Sequence, residues 1–143
     1  MRRWLILLRH GHAENGPDDY ARQLSESGRR RARHAGAELA EAGILPDRIV
    51  SSSAPRALET AQLAALGCHY SGHIQAERSL YLASEVQYLD LLRRLPAGLQ
   101  TLLLVGHNPT LSALARQLGR RGADLAPAAH ADLQLELESW SEL

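Results

Sequence analysis

The sequence has one cysteine, no net charge and no long apolar run, and each shortage closes off a class of protein. With Cys68 alone, neither an internal disulfide nor a thiolate metal cluster can form, which suits a reducing compartment. Sixteen basic and sixteen acidic side chains cancel, so the whole chain offers no electrostatic case for nucleic acid or an anionic membrane surface. Arg29-Arg30-Arg31-Ala32-Arg33 is a local basic excess, but Glu26, Glu38 and Glu41 share its segment, and together they read as a solvated helix face. No stretch approaches the roughly 20 apolar residues that cross a bilayer. Met1-Arg2-Arg3 and the five apolar residues after it imitate a secretory signal, yet that run is too short and Arg9 interrupts it. The expectation is a cytoplasmic protein with neither nucleic-acid nor membrane partners.

What is present is ordinary globular material: 143 residues, 45% hydrophobic and 22% charged, enough for one domain spanning 1–143 with its own core. Apolar runs without helical period predict strands over 4–9, 48–51 and 101–105, the last the most apolar and central. Ser25-Glu26-Ser27-Gly28 is an imperfect capping signal for a helix that carries Ala32, Ala35, Leu39 and Ala40 at helical spacing to Gly43. Ser53 is the expected cap of a second helix, with Pro55 in its first turn and its end at Gly67. A short strand is expected near Ile74. Residues 85–95 predict a helix with Val86, Leu89, Leu92 and Leu95 on one stripe, stopped by Pro96. Pro109 opens a helix bearing Leu111, Leu114, Ala115 and Leu118. Residues 132–138 alternate strictly, as an edge strand with one wet face does. Strands alternating with helices predict an α/β fold of three layers, α/β/α. Its sheet is expected to be mostly parallel, with an antiparallel edge strand.

Two strands end in Gly-His junctions: Arg9-His10-Gly11-His12 and Gly106-His107-Asn108-Pro109. A third polar pair, Ser52 and Arg56, follows the strand between them. In a parallel sheet these ends share one edge, where ligands bind in open α/β folds. Two guanidiniums in one place favour a planar, multidentate oxyanion such as phosphate, and two helix N-termini would aim unpaired N–H groups at it. A neutral imidazole is a competent phosphoryl acceptor, and neighbouring positive charge keeps it neutral near pH 7. Taken singly, each of these residues has an ordinary surface or loop explanation. Their joint occurrence, each after a strand, singles them out. His34, His69, His73 and His130 have no such setting and read as solvent-facing.

Arg9-His10-Gly11, Gly106-His107 and the segment from Ser52-Ser53-Ala54-Pro55-Arg56 to Thr60-Ala61 resemble the histidine phosphatase, or phosphoglycerate mutase-like, superfamily. Arg22-Gln23-Leu24-Ser25 and Leu80-Tyr81-Leu82-Ala83-Ser84 are similar to its SixA-type phosphohistidine phosphatase branch. The resemblance implies a phosphoglycerate mutase-like fold and transient phosphorylation of His10, with Arg9, Arg56 and His107 forming the phosphate pocket. It also implies that Gly11, His12, Ser52 and Asn108 belong to the substrate-binding set, with Ser52 and Thr60 in supporting structural places, and no cofactor or metal. His12 stands where many relatives carry an acid, and is expected at the pocket rim. Asn108 stands where one branch carries its proton donor. The acid is therefore expected among Asp19, Glu14, Glu77 and Glu85, with Asp19 first. The expected activity is metal-independent removal of phosphate from protein phosphohistidine, with a phosphohistidine-bearing protein as partner. Alternatives are a phosphatase or mutase for small phosphomonoesters, a zinc site built on His10, His12, His69 and His73, and a phosphate-binding module without turnover.

Overall fold

The computed structural model describes residues 1–119 and 124–143. Five strands, β1 (Arg2–Arg9), β2 (Arg48–Ser52), β3 (Ile74–Glu77), β4 (Thr101–Gly106) and β5 (His130–Glu136), form one sheet in the order β3-β2-β4-β1-β5. Every pairing is parallel except β1 with β5. Four helices, α1 (Glu26–Glu41), α2 (Pro55–Gly67), α3 (Glu85–Arg93) and α4 (Thr110–Gly119), cover its two faces. This is the α/β/α arrangement with one antiparallel edge that the alternation of elements implies.

The unbroken apolar runs of β1 and β4 are what a strand buried on both faces requires. Leu5, Leu7, Leu102 and Leu104 point into the layer of α3 and α4, against Tyr88, Leu92, Leu111 and Trp140. Ile6, Leu8, Leu103 and Val105 point the other way, onto Ala35, Leu39, Ala61 and Ala64 of α1 and α2. All eight strand residues are fully buried. Each fully buried leucine or isoleucine contributes about 1.5–3 kcal/mol. The small residues of the second layer let α1 and α2 approach closely: a Cβ at Gly36 would sit 2.0 Å from the Ala64 carbonyl oxygen.

Three local expectations change. Ser53 does not cap α2; Ala54 holds the cap position, and the Ser52 hydroxyl accepts from the Ala54 N–H at 3.2 Å while Ser53 bonds to Tyr20. In α3 the buried face is Tyr88, Leu89, Leu91 and Leu92, and Val86 is 62% exposed, because the first turn overhangs the core. The edge strand covers 130–136 rather than 132–138, because the chain after Glu136 bends to meet Arg3. That guanidinium, fully buried, donates to the carbonyls of Leu137 (3.1 Å), Leu99 (2.6 Å) and Glu138 (2.6 Å) and lies over the Trp140 ring.

Candidate active site

The register of the two central strands assembles the site. Arg9 pairs with Gly106 across β1 and β4, so His10 and His107 leave the sheet side by side, with ring centroids 5.2 Å apart. Gly106 is forced by its neighbour: a Cβ there would meet the Tyr88 hydroxyl at 2.3 Å, and that hydroxyl accepts the His107 N–H. Ser52, at the end of β2, places its hydroxyl 2.8 Å from His107 Nε2. Arg56 arrives from the first turn of α2 with only 6% of its surface exposed.

His10 carries its proton on a definite nitrogen. Its Nδ1 lies 2.8 Å from the Gly11 carbonyl oxygen, which can only accept, so Nδ1 is the protonated atom and Nε2 keeps its lone pair. Burial, and then the charges of Arg56, Arg9 and Arg22, push the His10 pKa down to about 4, although the Gly11 carbonyl opposes the shift. Burial, His10 and Arg56 likewise push His107 down to about 3. Both imidazoles are therefore neutral at pH 7, and one presents a free nucleophilic nitrogen. Gly11 in turn donates its N–H to the Thr60 hydroxyl at 3.0 Å, and that hydroxyl donates to the Arg56 carbonyl at 2.7 Å. One threonine thus ties the turn after His10 to the helix carrying the arginine.

Arg9, His10, Arg56 and His107 all line one cavity of about 500 Å³. Among the described residues, Arg9 is held by a single side-chain bond, from Nη1 to the Leu125 carbonyl at 2.9 Å. Among the described residues, Nε of Arg9 and Nε of Arg56 are buried yet have no hydrogen-bond partner. An unpaired buried donor costs about 1–3 kcal/mol, more when charged. Both belong to residues that line the one cavity. Asn108 also lines the cavity, but its amide is committed to structure: Oδ1 accepts from the Ser112 N–H (3.1 Å) and hydroxyl (2.7 Å), and Nδ2 donates to Leu125.

Asp19 lies at the cavity as expected, but it is ill suited to donate a proton. Its carboxylate accepts from the Tyr81 hydroxyl at 2.6 Å, from Arg22 at 3.1 Å and from Arg56 at 3.2 Å, and these bonds hold it well below the usual carboxylate range. Its backbone carbonyl accepts from Arg56 Nη1 at 2.6 Å. Asp19 is thus an orienting clamp on the arginine. Glu14, Glu77 and Glu85 do not line the cavity. His12 is a correction as well: it does not reach the cavity, since its Nδ1 bonds to the Ser25 hydroxyl at 2.8 Å, and it secures the start of α1. Among the described residues, no group of three or more His, Cys, Asp or Glu side chains could hold a metal ion.

Tyr81, Tyr20 and Arg22 had no part in the sequence argument beyond the motifs containing them. Tyr81 meets the edge of His107 with centroids 5.7 Å apart and Tyr20 at 4.9 Å, and Arg78 stacks on the Tyr20 ring at 3.8 Å. Tyr81 and Arg22 line the cavity, and Tyr20 and Arg78 pack against Tyr81. Nothing in their spacing announces this, because they meet only through the loop between β1 and α1.

The chain matches known proteins along most of its length. Proteins described as phosphohistidine phosphatase SixA share its fold. One from Nakamurella multipartitia is 26% identical with a TM-score of 0.78, covering 99% of this chain and 89% of that one. Another, from Agrobacterium tumefaciens, is 27% identical with a TM-score of 0.78, covering 91% and 90%. SixA solved with tungstate superposes with a TM-score of 0.82 at 20% identity, covering 90% and 86%. The mitochondrial serine/threonine-protein phosphatase Pgam5 of Drosophila persimilis is 40% identical over 62 residues, which is 43% of this chain but only 22% of that protein's length. The model of the histidine phosphatase superfamily (branch 1) matches residues 5–80, and the chain belongs to that family.

Proposed function

We propose that the protein is a metal-independent phosphatase that works through a phosphorylated His10 and removes phosphate from protein phosphohistidine. The observation that carries this reading is the meeting of an unprotonated His10 Nε2 with two arginines whose buried Nε groups lack a partner. His10 Nε2 attacks phosphorus, a P–N bond forms, and the bond to the leaving group breaks with its electron pair going to that group. Arg9, Arg56 and His107 stabilise the charge on the transferred phosphoryl. Water then attacks the same phosphorus, the P–Nε2 bond breaks, its proton passes to solvent, and His10 returns to its neutral form with inorganic phosphate released.

The cavity wall supports this choice of leaving group. Its one carboxyl among the described residues, Asp19, is ionised, and both imidazoles are neutral. An alkoxide leaving from a phosphoester needs strong protonation. A phosphohistidine that enters with its imidazole protonated leaves as neutral imidazole and needs none. A SixA of the same fold was solved with tungstate, a phosphate-like oxyanion, which supports an oxyanion as the ligand class. The partner would be a phosphohistidine-bearing protein, and the cytoplasm would be its site of action.

His10→Ala should abolish turnover, and brief exposure of the wild type to a phosphodonor should leave acid-labile phosphate on His10. Arg56→Ala and His107→Ala should each add about 3–4 kcal/mol to the barrier. Activity should survive EDTA. Rates on a phosphohistidine protein beside a panel of phosphate esters decide the substrate, and faster ester turnover would transfer the assignment to small phosphomonoesters.

A further inference from the structure

Leu82 is 80% exposed, more than any other large apolar residue described, and its backbone is left-handed with φ 57°. Among the described residues two other non-glycine positions share that conformation, His69 and Ala128, and both have local reasons. His69 follows α2, where its N–H bonds to the Leu66 carbonyl and that of Tyr70 to the Ala65 carbonyl, a closure that ends helices in a left-handed residue. Ala128 directs its N–H at the carbonyls of both Arg9 and His10. Leu82 has no such task. Tyr81, with φ −74° and ψ 125°, followed by a positive φ has the backbone of a type II turn, whose third position is ordinarily glycine. A leucine there is disfavoured, and exposure denies it the compensation of burial.

The flanks hold it in place. On one side the Tyr81 hydroxyl is bound to Asp19. On the other, Ala83 is buried and its carbonyl accepts the Thr110 hydroxyl at 2.9 Å. Between these anchors Leu82 lines the cavity, the one large aliphatic side chain to do so among the described residues. Strain that its surroundings enforce, at the mouth of a reactive site, points to a function. We propose that Leu82 is a specificity-determining residue that packs on the apolar face of the group carrying the phosphoryl. It selects ring-bearing carriers, imidazole or aryl, over polyhydroxylated ones. This rests on the phosphoryl-transfer reading above.

The test compares wild type, Leu82→Gly and Leu82→Asn on phenyl phosphate and glycerol phosphate, with vanadate inhibition of the wild type measured beside them. Both replacements tolerate the left-handed backbone, so the melting temperature should hold or rise. The ratio of kcat/KM for phenyl phosphate to that for glycerol phosphate should fall about five- to tenfold in both variants. An unchanged ratio, with vanadate still inhibiting the wild type, overturns the role of Leu82 alone. Absence of vanadate inhibition would instead remove the phosphoryl-transfer reading, and the role of Leu82 with it.

Discussion

Lowering the pH should destabilise this fold through its two central imidazoles, well above the range where carboxylates titrate. In the unfolded chain each histidine titrates near 6.5; in the folded protein His10 titrates at about 4 and His107 at about 3. The unfolded state therefore binds more protons through the window between. Stability from this pair is complete above pH 6.5 and is lost as pH falls towards the folded values. Between pH 7 and pH 5 the linkage amounts to about 2 kcal/mol for each histidine. Asp19 contributes in the same direction, but only below the unfolded aspartate value of about 4. His130 runs oppositely: its hydrogen bond to Asp132 raises its pKa, so its contribution is present at low pH and lost on raising it. The His10 share is isolated by comparison with His10→Gln, which keeps an amide within reach of the Gly11 carbonyl but does not titrate. Urea unfolding at pH 7, 6 and 5 should show the wild type losing about 2 kcal/mol more than the variant. Parallel stability curves across that window would refute the burial of a neutral His10.

Arg3→Met should cost about 3–5 kcal/mol in urea unfolding, because the buried Leu99 carbonyl and the part-buried Leu137 and Glu138 carbonyls lose their donor at once, and a cost under about 1 kcal/mol would show that the bend after β5 closes without it. Gly106→Ala should lower both stability and turnover, and Tyr88→Phe in the same chain should restore part of the loss by removing the oxygen that a Cβ would strike. Simple additivity in that cycle would remove the steric explanation. Asp19→Asn should lower kcat/KM by a similar factor for aryl and alkyl phosphates, since an ionised clamp acts on Arg56 whatever leaves. A loss confined to alkyl phosphates would restore Asp19 as a proton donor.

Much of the site was legible because its chemistry sits at the ends of strands whose apolar runs are unmistakable. Leu5–Leu8 and Leu102–Val105 can only be buried strands, and the residues that follow must then share an edge. What escaped depends on loops. The place of Asp19 could be read from its position after β1, but its ionisation depends on Tyr81, which lies 62 residues on. His12 shares a tetrapeptide with His10, yet the chain turns at Gly11 and carries it to the start of α1. Val86 has the right period for the α3 stripe, but period alone does not say that the first turn overhangs the core. Tyr88 read as one more residue of α3, and only its hydroxyl on the His107 N–H reveals why the glycine before that histidine is needed.

The single reversed strand has a consequence for how the pocket is staffed. Because β5 runs against β1, with His130 opposite Leu8 and Glu136 opposite Arg2, the chain enters β5 at the reactive edge. Had it been parallel, that approach would lie at the far end of the sheet. Reversal therefore delivers one more loop to the chemistry without an added element. That loop supplies the Leu125 oxygen that steadies Arg9 and the Ala128 N–H that fastens the end of β1.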